Sequence, residues 1–309
     1  MFIETYAGFD YQKESCVSRK KLTNKIVNHK VRNQLDKPSE GEIKIALLSG
    51  DVRKMKTTVS VKEVSMSKLS IVTSMMVLFC AFTAYAQGFE TDTVKTSSGD
   101  LKITFIGHGT LMFSFNGKTI HVDPVDQMAD YNKLPKADII VITHEHFDHL
   151  DMKAIGKLRT PKTLLVISGS CAKQVNGGIV MHNGDIKTVA GLKIEAVPAY
   201  NVVHMRSPGT PFHPKGIGNG YVITFGDTRV YVAGDTENTP EMKGLQAIDI
   251  AFLPMNLPYT MTPEMVADAA KIFKPKVLYP YHYGDTDPLT LIALLKNNPE
   301  IEVRIRTMK

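Results

Sequence analysis

The chain has 309 residues, of which 43% are hydrophobic and 22% are charged, and its formal net charge is +6. This ordinary globular composition excludes a collagen-like, mucin-like or wholly disordered protein. The positive charge belongs to residues 1–65, which hold 13 Lys and Arg against 8 Asp and Glu, whereas residues 87–309 hold 23 of each sign. Because the bulk of the chain is neutral, we expect no nucleic acid as a partner.

The N-terminal region predicts an exported protein. Residues 1–65 carry no motif and indicate a basic extension, which is either disordered or upstream of a true start at Met66. Residues 66–86 combine a short positive start, an apolar stretch and a small-x-small ending, which is typical of a secretory signal peptide cleaved after Ala86. We therefore expect a secreted or periplasmic protein. The alternative is an uncleaved membrane anchor that keeps the basic stretch inside, and a membrane is expected as a partner only through this segment.

The rest of the chain predicts one catalytic domain. A Ser/Thr-rich linker is expected over residues 87–100, and the domain over residues 101–309. Strands are predicted at 101–105, 110–115, 119–122, 138–143, 163–168, 220–225, 229–233, 250–254, 277–281 and 301–306, and helices after Thr262 and at 289–296. Strands that alternate with helices, together with antiparallel hairpins, indicate an α/β sandwich.

Two hairpins in this pattern resemble each other. Residues 115–123 and residues 225–235 each contain a tight turn, an apolar strand and a closing aspartate, Asp123 or Asp235. This short internal similarity suggests two related halves that meet at one site.

The densest cluster of chemical groups is Thr143-His144-Glu145-His146-Phe147-Asp148-His149, directly after an apolar strand. Alternate residues of an extended segment point to opposite sides, so these four donors cannot all serve one tetrahedral ion. The spacing suits two adjacent ions, with His144 and His146 on one and Asp148 and His149 on the other. A solvated polar loop is the plain alternative.

This His-x-His-x-Asp-His pattern resembles the signature of the metallo-β-lactamase fold superfamily, and the similarity covers about residues 101–309. Residues 106–110 and Asp123-Pro124 resemble the branch that includes ascorbate-6-phosphate lactonase-like and N-acyl-phosphatidylethanolamine phospholipase D-like enzymes. The resemblance implies an αββα sandwich in a single catalytic domain.

The resemblance also implies the remaining ligands. Asp235 matches the carboxylate that bridges both ions, and His282 matches the last ligand of the second ion. In many relatives a histidine completes the first site where this chain has Asn201. Two histidines downstream could replace it, and we favour His213, whose loop leads directly into the Asp235 hairpin, over His204.

Further residues are expected near the site. His108 is either a substrate-contacting wall residue or a structural histidine, and Asp123 either orients a ligating imidazole or is a turn residue. The apolar loop at residues 255–261 is expected to line the substrate pocket with Tyr259, or else to belong to the core. His121 and His182 have no partner motif and are not expected to bind metal, and Cys171 is expected to be a buried apolar residue.

A ligand set of imidazole and carboxylate favours two divalent ions, with Zn²⁺ first and Mn²⁺ or Fe as further possibilities. Two such ions would hold a bridging hydroxide, oriented by the catalytic carboxylates of Asp148 and Asp235. The sequence thus predicts an exported hydrolase that cleaves a lactone, amide, ester or phosphodiester bond in a small-molecule substrate. A membrane-anchored form, or a catalytically silent metal-binding protein of the same fold, is the alternative.

Overall fold

The computed structural model describes residues 88–308, so the predicted basic extension and signal segment lie outside the described residues. Two seven-stranded sheets form its framework. The first sheet has the strand order β1-β2-β3-β4-β5-β6-β7. Its strands are β1 (Glu90–Thr96), β2 (Gly99–Gly107), β3 (Thr110–Phe115), β4 (Lys118–Val122), β5 (Ile139–Ile142), β6 (Leu164–Ser168) and β7 (Ile179–Met181).

The second sheet has the strand order β16-β15-β14-β13-β12-β9-β8, and β10 and β11 form a separate hairpin. Its strands and those of the hairpin are β8 (Ile186–Val189), β9 (Leu192–Ala199), β10 (Met205–Ser207), β11 (Thr210–Pro211), β12 (Gly218–Phe225), β13 (Thr228–Val232), β14 (Ile250–Pro254), β15 (Val277–Tyr281) and β16 (Glu302–Val303). The predicted final strand at 301–306 is therefore reduced to the two residues of β16.

Within residues 88–308, three α-helices accompany the sheets: α1 (Met152–Leu158), α2 (Pro263–Phe273) and α3 (Thr290–Leu294). Helix α2 begins as the sequence predicts, because the Thr262 side chain accepts a hydrogen bond from the backbone N–H of Met265 and Pro263 occupies the first turn. Helix α1 is not anticipated by the sequence analysis. Among the described residues no helix is both long and apolar enough to cross a bilayer.

The layers follow from the alternation of side chains along the strands. In β5, Ile139 and Val141 join the core between the two sheets, whereas Ile140 and Ile142 join a second cluster with Ile155 of α1. Both faces of this strand are thus covered, which explains why all four of its residues are apolar.

Aromatic rings join the two sheets in the middle layer. Phe113 of β3 lies 5.4 Å from Phe225 of β12, centroid to centroid, and Phe105 of β2 lies 5.0 Å from Tyr279 of β15. Helix α2 covers the outer face of the second sheet, where Phe273 meets Tyr231 edge-on at 5.9 Å. The predicted αββα sandwich is confirmed.

The linker predicted over residues 87–100 is wrong for most of its length. Residues Glu90–Thr96 form β1, which pairs antiparallel with β2 throughout. Its alternate residues are half-buried, and Asp92 is held by two contacts of 2.7 Å from Nη2 of Arg306 near the other end of the chain. The folded domain therefore begins at least 11 positions before Leu101, at Glu90.

Parallel pairing brings the ends of several strands to common edges. Strand β4 runs parallel to β5, and β13, β14 and β15 run parallel to one another. The residues that follow their carboxyl ends meet where the two sheets share an edge, which is where ligands bind in sheets of this kind. These residues are Asp123 after β4, Thr143 and His144 after β5, Asp235 after β13, and His282 after β15.

Candidate metal centre

The loop after β5 turns back on itself. The backbone N–H groups of His149 and Leu150 both donate to the carbonyl of His146, at 3.0 and 2.8 Å. The turn brings the rings of His144 and His149 to a centroid distance of 4.2 Å and leaves Phe147 84% exposed. The loop is therefore not the extended segment assumed from the sequence, yet it divides its donors between two neighbouring groups as that reasoning predicted.

The first group of donors consists of His144, His146 and His213. One ligand atom from each lies within 4.8 Å of the other two. His213 comes from the loop between β11 and β12, and its ring lies 5.1 Å from that of His144 and 4.9 Å from that of His146. His204 is not part of this group or of any other donor group among the described residues, and its Nδ1 lies 2.5 Å from Oε1 of Glu237.

The second group has four members, which are His108, Asp148, His149 and His282. Nε2 of His108 lies 3.2 Å from Oδ2 of Asp148, and the His108 ring lies 3.7 Å from that of His282. The same Asp148 oxygen lies 3.6 Å from Nε2 of His282. His108 is thus in direct contact with a predicted catalytic carboxylate, and it is placed to orient that carboxylate as well as to line the site.

Asp235 lies between the two groups. Its Oδ2 is 3.3 Å from Nε2 of His213 and 4.0 Å from Nε2 of His144. Its Oδ1 is 3.3 Å from Nε2 of His149 and 3.5 Å from Nε2 of His282. Each carboxylate oxygen therefore faces one group, which is the arrangement expected of a residue shared by two ions.

The charges of these groups suit cations. Burial and the neighbouring imidazoles hold the pKa of His144 well below its usual value, so that this ring is a neutral ligand. Burial opposes ionisation of Asp235, but the adjacent His282 and His149 outweigh it and hold the carboxyl pKa well below its usual range. Burial also opposes protonation of His149, yet Asp235 and Asp123 raise its pKa well above normal. A cation placed there would replace that proton in balancing the carboxylates.

The orientation of the imidazoles provides an independent test of whether metal ions fit. Nδ1 of His149 contacts Asp123 Oδ2 at 2.8 Å. Nδ1 of His144 contacts the Thr143 hydroxyl at 3.0 Å, and that hydroxyl in turn donates to Asp123 at 2.6 Å. The Nε2 atoms of His144 and His149 are buried and have no hydrogen-bond partner. The same is true of both ring nitrogens of His282, Nε2 of His213 and Oδ1 of Asp235. Buried polar atoms without a hydrogen-bond partner are costly unless a ligand satisfies them, and the Nε2 atoms of these histidines lie in the two donor groups, so the residues fit metal ions.

A cavity opens beside the first group. Its apolar wall contains Ala199, Phe212, Pro214 and Ile217. The Phe212 ring meets Tyr259 edge-on at 5.1 Å, and Tyr259 is 46% exposed. In the loop at 255–261, Met255 and Met261 are buried in the core, whereas the exposed Tyr259 lies against Phe212 of the cavity wall.

Three residues of this neighbourhood were not predicted from the sequence as part of the site. The Thr143 hydroxyl contacts both His144 and Asp123. Asn201 contacts His213, and Glu237 contacts His204. Asp123 itself is fully buried against His149, which favours the orienting role over the turn role. Asn201 attracted notice only as the position of a missing ligand, and Glu237 lies in no recognised pattern.

Comparison with known proteins agrees with this geometry. Residues 102–282 match the model of the beta-lactamase superfamily domain. A UPF0173 metal-dependent hydrolase of Pelotomaculum thermopropionicum is 29% identical over 220 residues, which span 66% of this chain and 96% of the relative. Another from Koribacter versatilis is 32% identical over 204 residues, which span 62% of this chain and 87% of the relative.

Among solved structures, a Parabacteroides distasonis protein described as a metal-dependent hydrolase is 51% identical, with a TM-score of 0.69 over 72% of this chain and 100% of its own. The metallo hydrolase Igni18 of Ignicoccus hospitalis is 26% identical, with a TM-score of 0.56 over 68% of this chain and 96% of its own. The family match, these relatives and the site geometry agree with one another. The chain belongs to the beta-lactamase superfamily, has the metallo-β-lactamase fold and is a metal-dependent hydrolase.

Proposed function

We propose that this protein hydrolyses a lactone, amide, ester or phosphodiester bond of a small molecule at a centre of two divalent metal ions. The observation that carries the proposal is Asp235, whose two oxygens face two separate groups of donors. One group would hold the first ion through His144, His146 and His213. The other would hold the second ion through Asp148, His149 and His282.

The donor chemistry favours Zn²⁺. The two groups offer imidazole nitrogens and carboxylate oxygens without a thiolate, and such sets also accept Mn²⁺ or Fe. Cys171 is fully buried and belongs to none of the donor groups, so it is not a ligand of this centre.

Divalent ions supply Lewis acidity and promote the ionisation of water at neutral pH. The chain itself would supply the orientation. The carboxylate of Asp148 is 29% exposed and therefore accessible to water, so it could orient the attacking water through a hydrogen bond. His108 contacts Oδ2 of Asp148 and would keep that carboxylate aligned. The apolar body of the substrate would lie against Phe212 and Ile217.

Metal analysis of the full chain tests this proposal. We expect close to two equivalents of a divalent transition metal, and we expect His146→Ala to lose one or both. The matched control is His182→Ala, because that side chain is 74% exposed and belongs to none of the donor groups. A screen of the loaded enzyme against lactones, β-lactams, esters and phosphodiesters would then identify the bond. Full hydrolysis by protein free of transition metal would refute the proposal.

We also propose that the enzyme is exported, with cleavage after Ala86. The signal pattern supports this, and so does the position of the folded domain, since β1 begins at Glu90 and removal of residues 1–86 would leave every described strand intact. The membrane-anchored form is the competing proposal, and it would carry the same site.

A further inference from the structure

Asn201 follows strand β9 beside the first group of donors, and its contacts suggest a positioning role. The side chain is 4% exposed and uses both ends of its amide. Oδ1 lies 2.8 Å from the backbone nitrogen of His213 and 2.8 Å from Nδ1 of its ring. Nδ2 lies 2.9 Å from the Tyr259 carbonyl and 3.2 Å from Oε1 of Glu237.

These contacts determine which way the amide faces. The Tyr259 carbonyl can only accept a hydrogen bond and the backbone N–H of His213 can only donate one, so the NH₂ group of Asn201 must point towards Tyr259 and Glu237. The amide oxygen is then left to face His213. Because that oxygen can only accept, Nδ1 of His213 must carry the ring proton, and the lone pair of the neutral ring lies on Nε2.

Glu237 fixes the other side of this chain of contacts. Its carboxylate is fully buried and accepts backbone N–H groups from Val202 and Val203 at 2.6 Å and from His204 at 2.8 Å. A carboxylate with this many donors cannot rotate without losing several hydrogen bonds, so it holds Asn201 in one orientation.

We propose that Glu237 and Asn201 are positioning residues that lock His213 in the tautomer with its proton on Nδ1, so that Nε2 is presented to the first metal ion. This inference rests on the proposed metal centre. In this role Asn201 does not bind metal itself, because it orients His213, a histidine from a later loop. Nε2 of His213 is buried without a hydrogen-bond partner and lies 3.3 Å from the shared carboxylate of Asp235, as this role requires.

The decisive variant is Asn201→Leu, which keeps the approximate shape of the side chain and removes both polar atoms. Loss of a group that orients a ligand typically weakens metal binding about 10–100-fold. We expect a loss of this size for one of the two ions, measured by chelator competition in the full chain, while the other ion keeps its affinity. The matched control is Thr163→Val, which removes the buried 2.6 Å hydrogen bond to the Ala137 carbonyl outside the site and should leave both affinities unchanged.

The tautomer itself can be read from ¹⁵N-histidine NMR of the full chain, with His213→Ala identifying the resonances. We expect a protonated Nδ1 in metal-free and metal-loaded wild type, and a mixture of tautomers in metal-free Asn201→Leu. A wild-type His213 with its proton on Nε2 would overturn the proposal whether or not Asn201→Leu folds.

The experiments distinguish failure of the positioning role of Glu237 and Asn201 from failure of the proposed metal centre. If His213→Ala loses one ion while Asn201→Leu binds both ions with wild-type affinity, only the positioning role of Glu237 and Asn201 is wrong. If His213→Ala retains both ions, the proposed ligand set is wrong as well.

Discussion

Oδ2 of Asp123 lies 2.8 Å from Nδ1 of His149, and both side chains are fully buried. The opposite nitrogen of the same ring faces Asp235 at 3.3 Å. One imidazole is thus held between the two aspartates that close the two similar hairpins, β3–β4 in the first sheet and β12–β13 in the second. The internal similarity noticed in the sequence corresponds to two carboxylates with different tasks, one orienting the ring and one facing the metal.

This contact predicts the effect of Asp123→Asn. The substitution suits the backbone, since residue 123 has a φ of 43° and asparagine tolerates the left-handed region. It replaces a charged acceptor of the His149 and Thr143 hydrogen bonds by an amide. We expect metal affinity at the second ion to fall about 10–100-fold, measured by chelator competition.

The control for that experiment is Asp227→Asn, at the turn of the other hairpin. Asp227 accepts an exposed hydrogen bond from the backbone of Ser97 at 2.8 Å and has no contact with the donor groups. Its affinities should match the wild type. Equal affinity in Asp123→Asn and Asp227→Asn would remove the orienting role from Asp123.

A second prediction compares the two candidate histidines. His213→Ala removes a nitrogen that lies 3.3 Å from Asp235, whereas His204→Ala removes a ring whose Nδ1 contacts Glu237. We expect His213→Ala to lose one metal equivalent and His204→Ala to keep both. Metal analysis of the two purified variants checks this, and the reverse ranking would mean that the loop rearranges to use His204.

The donors at 144–149 could be predicted because they are concentrated in one motif, whereas Asp235 and His282 were predicted through the resemblance of their segments to the family. His144, His149, Asp235 and His282 all come together as expected. The residues that hold the donors in place through hydrogen bonds could not be predicted in the same way. Glu237 lies 36 positions from Asn201, and nothing in either residue's neighbourhood indicates that their side chains meet.

The strand β1 was missed for a similar reason. Its polar composition is typical of a linker, because only alternate residues are half-buried at the edge of the sheet. What holds it in place includes an ion pair between Asp92 and Arg306, 214 positions apart. A contact of that sequence separation depends on the tertiary fold and leaves no local pattern.

A third prediction concerns the substrate pocket. Tyr259→Ala should change the ratio of kcat/KM values between substrates while both metal ions remain bound, because the ring lies against Phe212 of the cavity wall and contributes no ligand. The matched control is Leu289→Ala, a 58% exposed apolar residue next to α3. Identical substrate preferences in Tyr259→Ala and the wild type would show that this ring does not contact substrate.

A fourth prediction tests export. N-terminal sequencing of protein recovered from the periplasm or the medium should begin at Gln87, which follows the small-x-small pattern of residues 84–86. The comparison sample is a chain with Ala86→Arg, which should block cleavage. An intact wild-type chain in the membrane fraction, still carrying residues 1–65, would instead support the anchored form.

The last prediction concerns acid stability and His121, a histidine outside the metal groups. Its side chain is fully buried in β4, Nε2 lies 3.1 Å from the Pro135 carbonyl, and Nδ1 has no partner. Burial lowers its pKa to about 4, although the Pro135 carbonyl acts in the opposite direction. The unfolded chain therefore binds a proton near pH 6.5 that the folded chain resists until about pH 4.

It follows that His121 destabilises the fold as the pH falls from about 6.5 to about 4, and adds no further loss below that range. Between pH 7 and pH 5 the expected loss from this residue is about 2 kcal/mol. His121→Gln offers a donor to the Pro135 carbonyl but cannot take up a proton. Urea unfolding at both pH values should show a smaller drop in the free energy of unfolding for His121→Gln than for the wild type, whereas His182→Gln, which changes an exposed ring, should follow the wild type. Because the metal ligands titrate equally in all three proteins, parallel pH profiles for His121→Gln and the wild type would contradict the role assigned to His121.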